Sequence, residues 1–431
     1  MEVKTMATGI TRRDMLKLPA LAAGGLAVAS AMSGCTGGAS ADSGSAASSG
    51  LQTVTPPLSP LSSDQMRITF LGTSCIPRTG QECNSIFVEV GSGDQFIFDC
   101  GSGVVAKYGA MGIPFSRMDK IFLTHLHGDH IADLVHIYAF GPAGDRKTAL
   151  KVWGPSRSNM VNPTTGENPD DGTTAFCNAF QQFMAWHVQA FSFLQTGFGP
   201  RGSGNNGYDI TATELDWTVT GCPPIYNQNG VVVTYFPAAH DRNGSISYKL
   251  TYNNMSMIFT GDTKPNDYVI ANGKGVDVLI HEMVVPPETW AAKNSGLQPG
   301  QTGWTQVLQV ATNIQDNSHT PQKAFGYIMN QTKPRLAVAT HFQVNDDTIG
   351  PAISDITYWY KGAVAFATDL LVLTVSPGQI LQQQAVIDPY AWLAVGKLRA
   401  GLFPAEYPTP TYQLDQTILL NHCIQPSVYN P

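Results

Sequence analysis

The stretch Ile121-Phe-Leu-Thr-His125-Leu-His127-Gly-Asp129-His130 constrains this chain more than any other, because an apolar run ends in four potential metal ligands within six residues. Ile121 to Leu123 read as a buried strand. His125 and His127, two positions apart at its end, point the same way because strand side chains alternate. Both imidazoles can therefore reach one ion. Gly128 lets the backbone turn sharply, so that Asp129 and His130 come back past that ion and can hold a second one. Neutral imidazoles with a carboxylate suit zinc, with iron or manganese as alternatives. Packing alone gives no reason to crowd three histidines and an aspartate behind a strand.

The 431 residues suffice for one large domain with additions, or for two domains. Only 13 % are charged, against about a quarter in an average globular chain. The formal net charge is −7, and it becomes more negative once residues 1–34, with four basic and two acidic groups, are removed. No basic stripe is available to displace counterions from a phosphate backbone, which argues against a general nucleic-acid partner. Of seven cysteines, Cys35 belongs to the leading segment. Cys75, Cys83, Cys100, Cys177, Cys222 and Cys423 are open to two readings, up to three disulfides or buried free thiols. None has CxxC spacing, which argues against a structural zinc site.

Thr11-Arg12-Arg13-Asp14-Met15-Leu16-Lys17, followed by the apolar run Leu18 to Met32, reads as a secretory signal of the twin-arginine type. The run is too short for a committed transmembrane helix. Met32-Ser33-Gly34-Cys35 resembles a lipoprotein cleavage box with Met in the place of the usual Leu, which makes Cys35 a lipidated first residue. Residues 1–35 are thus expected to be a signal and 36–65, rich in Gly, Ser and Pro, a flexible linker. The expected location is outside the cytoplasm, periplasmic or at the cell surface, with the chain tethered to a membrane by lipidated Cys35. The oligomeric state is open, a dimer included.

Beyond the linker, Arg67 to Thr73 is a strand into a glycine turn, and Ser85 to Val90 with Gln95 to Asp99 reads as a hairpin. Ile131 to Phe140 continues as a helix whose His136 falls on a packing face. Leu150 to Pro155 is a strand and turn. Residues 156–229 form a long insertion: a polar loop, then a helix with Phe176, Phe180, Phe183 and Trp186 at helical spacing, then a Gly/Asn loop at 197–207. That aromatic stripe reads as core packing, with a substrate lid as the functional alternative. His187 beside Trp186 reads as bland. Val231 to Phe236 delivers His240, Met255 to Thr260 ends in Gly261-Asp262, Val278 to Ile280 in His281-Glu282, and Leu336 to Thr340 in His341. Rigid strands fix ligand positions to fractions of an ångström, so strand-end placement is what a metal centre needs. Ser318-His319-Thr320-Pro321 reads as a helix start with Thr320 as N-cap and Pro321 as first residue, where exposed amides bind anions. Phe366 to Val375 reads as a closing strand pair.

HxHxDH after a hydrophobic strand resembles the metal motif of the metallo-β-lactamase superfamily, and the later pieces resemble its ribonuclease Z and arylsulfatase-like branch, over about residues 66 to 375. The resemblance implies a four-layer αβ/βα sandwich, two mixed sheets flanked by helices, as a catalytic domain over 66–377 with a C-terminal extension at 378–431. It assigns His125, His127 and His240 to one ion and Asp129, His130 and His341 to the other, with Asp262 bridging. Asp99 then orients a metal-bound histidine, unless it is a plain turn residue. The implied cofactors are two Zn2+ ions, with Mn2+ or Fe as alternatives. Ions about 3.5–4 Å apart acidify a shared water, so that a bridging hydroxide can attack in line.

The same likeness implies hydrolysis of a small anionic ester, a phosphodiester or a sulfate ester. Asp129 joins the catalytic set, His319 contacts the anion and His281 protonates the leaving group. From the residues alone, His281 also reads as a hydrogen-bonded core histidine and His319 as part of a capping loop. The family's basic loop is here Pro77-Arg78-Thr79-Gly80-Gln81-Glu82-Cys83-Asn84, which has lost most of its basic character, and 22 positions separate His240 from Asp262, too few for a tRNA-gripping arm. Transfer-RNA processing by a ribonuclease Z-like endonuclease is thereby demoted to an alternative, beside a non-hydrolytic metal-binding or di-iron redox protein of the same fold. The insertion before His240 and residues 119–130 also resemble metallo-hydrolases labelled for guanitoxin biosynthesis.

Overall fold

The computed structural model describes residues 51–190 and 206–392. The signal expected over 1–35, Cys423 and most of the C-terminal extension and of the Gly/Asn loop lie outside the described residues. The chain opens with β1 (Gln52–Val54), β2 (Met66–Gly72), β3 (Ser85–Val90), β4 (Gln95–Phe98), β5 (Lys120–Phe122), β6 (Leu150–Pro155) and β7 (Ile210–Leu215). It then crosses to β8 (Pro224–Gln228), β9 (Val231–Pro237), β10 (Ile246–Tyr252), β11 (Met255–Phe259), β12 (Val278–Glu282), β13 (Leu336–Thr340) and β14 (Val364–Phe366). Finally it returns with β15 (Leu371–Val375) and β16 (Ile380–Ala385). One mixed sheet has the order β1-β16-β15-β2-β3-β4-β5-β6-β7 and the other β14-β13-β12-β11-β10-β9-β8.

The central strands are apolar throughout because both of their faces are covered. Ile68, Phe70, Ile86, Val88, Phe98 and Phe122 meet Val233, Tyr248, Phe259, Ile280 and Val338 in the core between the sheets. The alternate residues Leu71, Phe87, Ile97 and Ile121 point outward, onto α1 (Val104–Ala110), α3 (Leu134–Phe140) and α4 (Thr173–Phe183). On the other side Ile258, Leu279, Ala337 and Ala339 pack under α6 (Asp267–Gly273), α9 (Gln322–Thr332) and α10 (Asp346–Trp359). Helix, sheet, sheet, helix is the four-layer αβ/βα sandwich of the metallo-β-lactamase fold. A pair of helices, α7 (Pro287–Ser295) and α8 (Trp304–Ser318), packs upon itself around Ala291, Trp304 and Ala311.

Several expectations are corrected. The linker ends before residue 65, since Gln52–Val54 already pairs in parallel with β16. The boundary at 377 cuts through a hairpin, because β15 pairs antiparallel with β16. The insertion 156–229 contributes a strand to each sheet, β7 beside β6 and β8 beside β9. Phe366 to Val375 is no strand pair: β14 closes one sheet and β15 belongs to the other. In the aromatic stripe Phe180 is buried, whereas Phe183 and Trp186 are 76 % and 80 % exposed, and the helix breaks between them, α4 ending at Phe183 and α5 (Ala185–Ala190) following. His136 is exposed rather than packed, stacked on Phe140. The five described cysteines expected as disulfides or thiols are all free. Among the described residues no helix is long and apolar enough to cross a membrane.

Candidate metal centre

β9 and β11 both run antiparallel to β10, while β12 and β13 run parallel to β11, so all four end at the same edge. Past those ends stand His240, Asp262, Glu282 and His341. The motif after β5 meets them from the other sheet, and Ile246 N–H donates to the Thr124 carbonyl across the join. Gly261 makes the close approach possible. Its φ is +58°, and a Cβ there would lie 2.5 Å from Thr124 Cβ. Gly128, by contrast, needs no special conformation: it opens the short helix α2 (Gly128–Ile131), and a Cβ would meet nothing within 4 Å. The turn that brings Asp129 and His130 back is therefore helical, not a glycine bend.

Four groups of donors converge: the two that the likeness implied, His125 with His127 and His240, and Asp129 with His130, Asp262 and His341, and two that include His319, with His240 and Asp262 and with Glu282 and His341. His125 Nε2 lies 3.0 Å from His127 Nδ1, which lies 3.2 Å from His240 Nε2. In the second group His130 Nε2 is 3.4 Å from Asp129 Oδ2 and 3.3 Å from Asp262 Oδ1. His341 Nε2 is 3.4 Å from Asp129 Oδ2 and 3.2 Å from Asp262 Oδ2. A tetrahedral ion with ligands about 2.0–2.1 Å away places neighbouring donors about 3.3–3.4 Å apart. Asp262 Oδ2 also lies 3.9 Å from His125 Nε2 and 3.8 Å from His240 Nε2, so this one oxygen faces both groups.

Hydrogen bonds behind the rings fix which nitrogen faces inward. Thr124 Oγ1 donates to Asp99, leaving its lone pair for His125 Nδ1–H at 3.1 Å. His240 Nδ1–H donates to the Ser318 carbonyl at 2.8 Å, and His130 Nδ1–H to Asp99 Oδ2 at 2.7 Å. Asp99 thus orients a ligand histidine, as its position in the sequence implied. His125 Nε2 and His240 Nε2 therefore both turn a lone pair toward His127 Nδ1, an arrangement in which one cation can take all three nitrogens. Three buried atoms of the second group, His130 Nε2, Asp262 Oδ1 and His341 Nδ1, have no hydrogen-bond partner. Native proteins leave few buried polar atoms unpaired, and their clustering among these donors fits bound metal.

The charges divide the site. Burial, then His130, pushes His125 well below the ordinary imidazole value, and burial, then His240, lowers His127. Both rings are neutral, the form that ligates metal. Burial opposes charge on His130 and His341 as well, but Asp262 leads a set of neighbours that outweighs it and holds both well above the usual range. For Asp262 the burial cost is overcome by His341 and His130, and its carboxyl stays ionised.

His281 and His319 do not share the site as the likeness implied. Alternation along β12 sends Val278, Ile280 and Glu282 one way and Leu279 and His281 the other. His281 is fully buried on the helix side, edge-on to Phe325, with Nδ1 held by the Glu282 carbonyl. It belongs to none of the donor groups. Glu282 reaches the centre instead, accepting from Thr263 N–H and gripping His319 Nδ1 at 3.0 and 3.1 Å. The His319 ring stands between His240 and His341, 5.2 and 5.1 Å from their centroids. The expected helix start falls one residue later: α9 begins at Gln322 with Pro321 as its N-cap, while His319 caps the end of α8 and the Thr320 hydroxyl donates to the Thr263 carbonyl instead of capping. Sequence reasoning overlooked Glu282 and Asp241, whose Oδ1 is 3.3 Å from His240 Nε2 at the mouth of the site. Strand parity would have found Glu282. Asp241, in a turn, leaves no such pattern.

The profile of the family described as "Anti-Pycsar protein Apyc1" matches residues 66–150. Ribonuclease Z of Mycobacterium bovis is 26 % identical over 229 residues, covering 51 % of this chain and 70 % of that enzyme. Ribonuclease Z of Natronomonas pharaonis is 39 % identical over 92 residues, 21 % of this chain and 29 % of the other. Among solved structures, the metallo-β-lactamase fold protein YhfI of Bacillus subtilis is 16 % identical with a TM-score of 0.49, covering 72 % of this chain and all of its own. The short form of human tRNase Z is 18 % identical with a TM-score of 0.47, covering 71 % of this chain and 98 % of its own. The sandwich, the ordered donors at its edge and the sequence likeness together define a protein of the metallo-β-lactamase superfamily. Within that superfamily this chain is similar in sequence to ribonuclease Z.

Proposed function

We propose that this protein is a metal-dependent hydrolase that cleaves a phosphodiester or sulfate ester, with two zinc ions held by His125, His127, His240, Asp129, His130, His341 and Asp262. The observation that carries the reading is the convergence of these donors at the spacing a metal pair requires, with Asp262 Oδ2 facing both groups. Such ions, when bound, act as Lewis acids and acidify water. The ester plus one water gives an acid and an alcohol. The water oxygen bonds to phosphorus or sulfur, the bond to the leaving oxygen breaks, and that oxygen takes a proton.

His319 is placed to supply that proton. Glu282 fixes its Nδ1 and leaves Nε2 for the substrate, and the carboxylate also supports the protonated ring. Glu282 acts through His319 and is a positioning residue. Elemental analysis of purified protein, together with hydrolysis of bis-aryl phosphates and aryl sulfates by wild type and His319→Asn, tests the reading. Two zinc equivalents and an activity that depends on His319 support it; absence of bound transition metal would overturn it.

The likeness to ribonuclease Z favours one other reading, an endonuclease acting on RNA, which cleavage of a precursor tRNA would reveal. The acidic balance of 25 basic against 32 acidic residues weighs against it. We further propose that the enzyme works outside the cytoplasm on a lipid tether at Cys35. The twin-arginine segment and the cysteine box support this, and metabolic palmitate labelling that disappears in Cys35→Ser tests it.

A further inference from the structure

Beside His319 lies a cavity of about 200 Å³, walled by Trp290 of α7, Ala311 and Ile314 of α8, Val285 and Ile76. A dry apolar cavity of about 150 Å³ holds benzene. The space is therefore the size of an aromatic ring, and Trp290 offers a flat face for one. Ile76, Val285 and Trp290 also wall a second cavity of about 190 Å³, which Arg78 and Lys293 line. Lys293 is neutralised by Asp347 at 2.6 Å. Arg78 is not neutralised: it donates to Asn345 Oδ1 at 3.0 Å and to Gln81 Oε1, and among the described residues it has no carboxylate partner. Its Nε is buried without a hydrogen bond. On the opposite side of the centre, beyond His127 and His240, lies another cavity of about 200 Å³, whose lining includes Ser156, Ser158, Asp171 and Arg242.

We propose that the cavity beside His319 is the leaving-group subsite, and that the substrate is an ester of an aromatic alcohol carrying an acidic substituent. The inference rests on the hydrolytic reading above. With Nδ1 tied to Glu282, only the other ring nitrogen of His319 can hand over a proton, and the acceptor is the leaving oxygen. The alcohol attached to that oxygen occupies the space beside His319. That space is walled largely by apolar side chains, and the cavity that shares Ile76, Val285 and Trp290 with it is lined by an unneutralised guanidinium.

The test compares methyl phosphodiesters that differ only in the leaving alcohol. The alcohols are 6-hydroxy-2-naphthoate, 2-naphthol and hexafluoroisopropanol, an aliphatic alcohol of acidity similar to naphthol. Metal-loaded wild type is expected to favour the naphthyl over the hexafluoroisopropyl ester in kcat/KM by about tenfold or more, and the carboxylated ester further still. Trp290→Ala lowers the first preference about tenfold, and Arg78→Gln removes the second. Ile314→Trp, at a site already 39 % exposed, narrows the mouth without disturbing the core and lowers the first preference likewise. Calorimetric titration of metal-free protein with 6-hydroxy-2-naphthoate gives a readout apart from turnover, weakened in Trp290→Ala and Arg78→Gln. Equal cleavage of all three esters with no naphthoate binding overturns the subsite and leaves the hydrolase standing. Residue-dependent naphthoate binding without cleavage of any ester overturns the hydrolase and retains the cavity's chemistry.

Discussion

Asp99 and His130, 31 positions apart in sequence, are joined by a fully buried hydrogen bond of 2.7 Å in which the ring donates from Nδ1 and so presents Nε2 to the cation site. Asp99 also accepts from the Thr124 amide and hydroxyl, and the Thr124 hydroxyl in turn accepts from His125. One carboxylate therefore sets a ligand in each of the two donor groups that the likeness implied. Asp99→Asn is expected to weaken metal binding about 10- to 100-fold, measured by competition with a chromophoric chelator. Unchanged affinity would show that the ring orientation is set elsewhere.

The second expectation concerns pH. Burial pulls the His319 pKa down, but Glu282 outweighs burial and the net position is above the ordinary imidazole value. A raised pKa means that the proton is present below it and lost as pH rises through it. Activity that uses this proton falls on the alkaline side. In Glu282→Gln the supporting charge is gone and the alkaline limb of the kcat profile moves to lower pH. An alkaline limb that stays in place would remove His319 from the proton path.

His281 and His319 separate cleanly by substitution. His319→Asn should cost about 10²- to 10⁴-fold in kcat, the usual worth of a positioned acid. His281→Gln, facing Phe325 away from the donors, should stay within about threefold of wild type, because it touches none of the reacting groups. A steady-state comparison of the two variants at equal zinc content decides.

Gly261→Ala tests the contact between the sheets. A left-handed backbone with a Cβ costs about 1–3 kcal/mol, and the added carbon also collides with Thr124. Both a lower urea midpoint and weaker zinc binding are expected, since Asp262 is the next residue. A loss of stability with metal affinity intact would mean that Asp262 is positioned independently of this turn.

Much of the centre was legible because metal ligands have a narrow chemistry and strands have a strict period. His125, His127, Asp129 and His130 announced themselves by crowding, and His240, Asp262 and His341 by standing at the ends of apolar runs. The sandwich followed from those same runs, apolar on both faces. What was not legible depends on direction. His281 and Glu282 are neighbours in sequence on opposite faces of β12, and a histidine-first reading chose the wrong one. Phe183 and Trp186 kept helical spacing across a break that only the structure shows. Gly128 looked necessary because it is a glycine, yet its backbone is ordinary helix.

The donors are divided between two lengths of polypeptide that the ribosome makes at different times. By the close of β7, only His125, His127, Asp129 and His130 have been synthesised; His240, Asp262 and His341 follow from the other sheet. A nascent chain halted between them owns half a nest and has no means of keeping what falls into it. Firm capture would wait for the second sheet, and captured metal would then stitch the late half of the translation product to the early one.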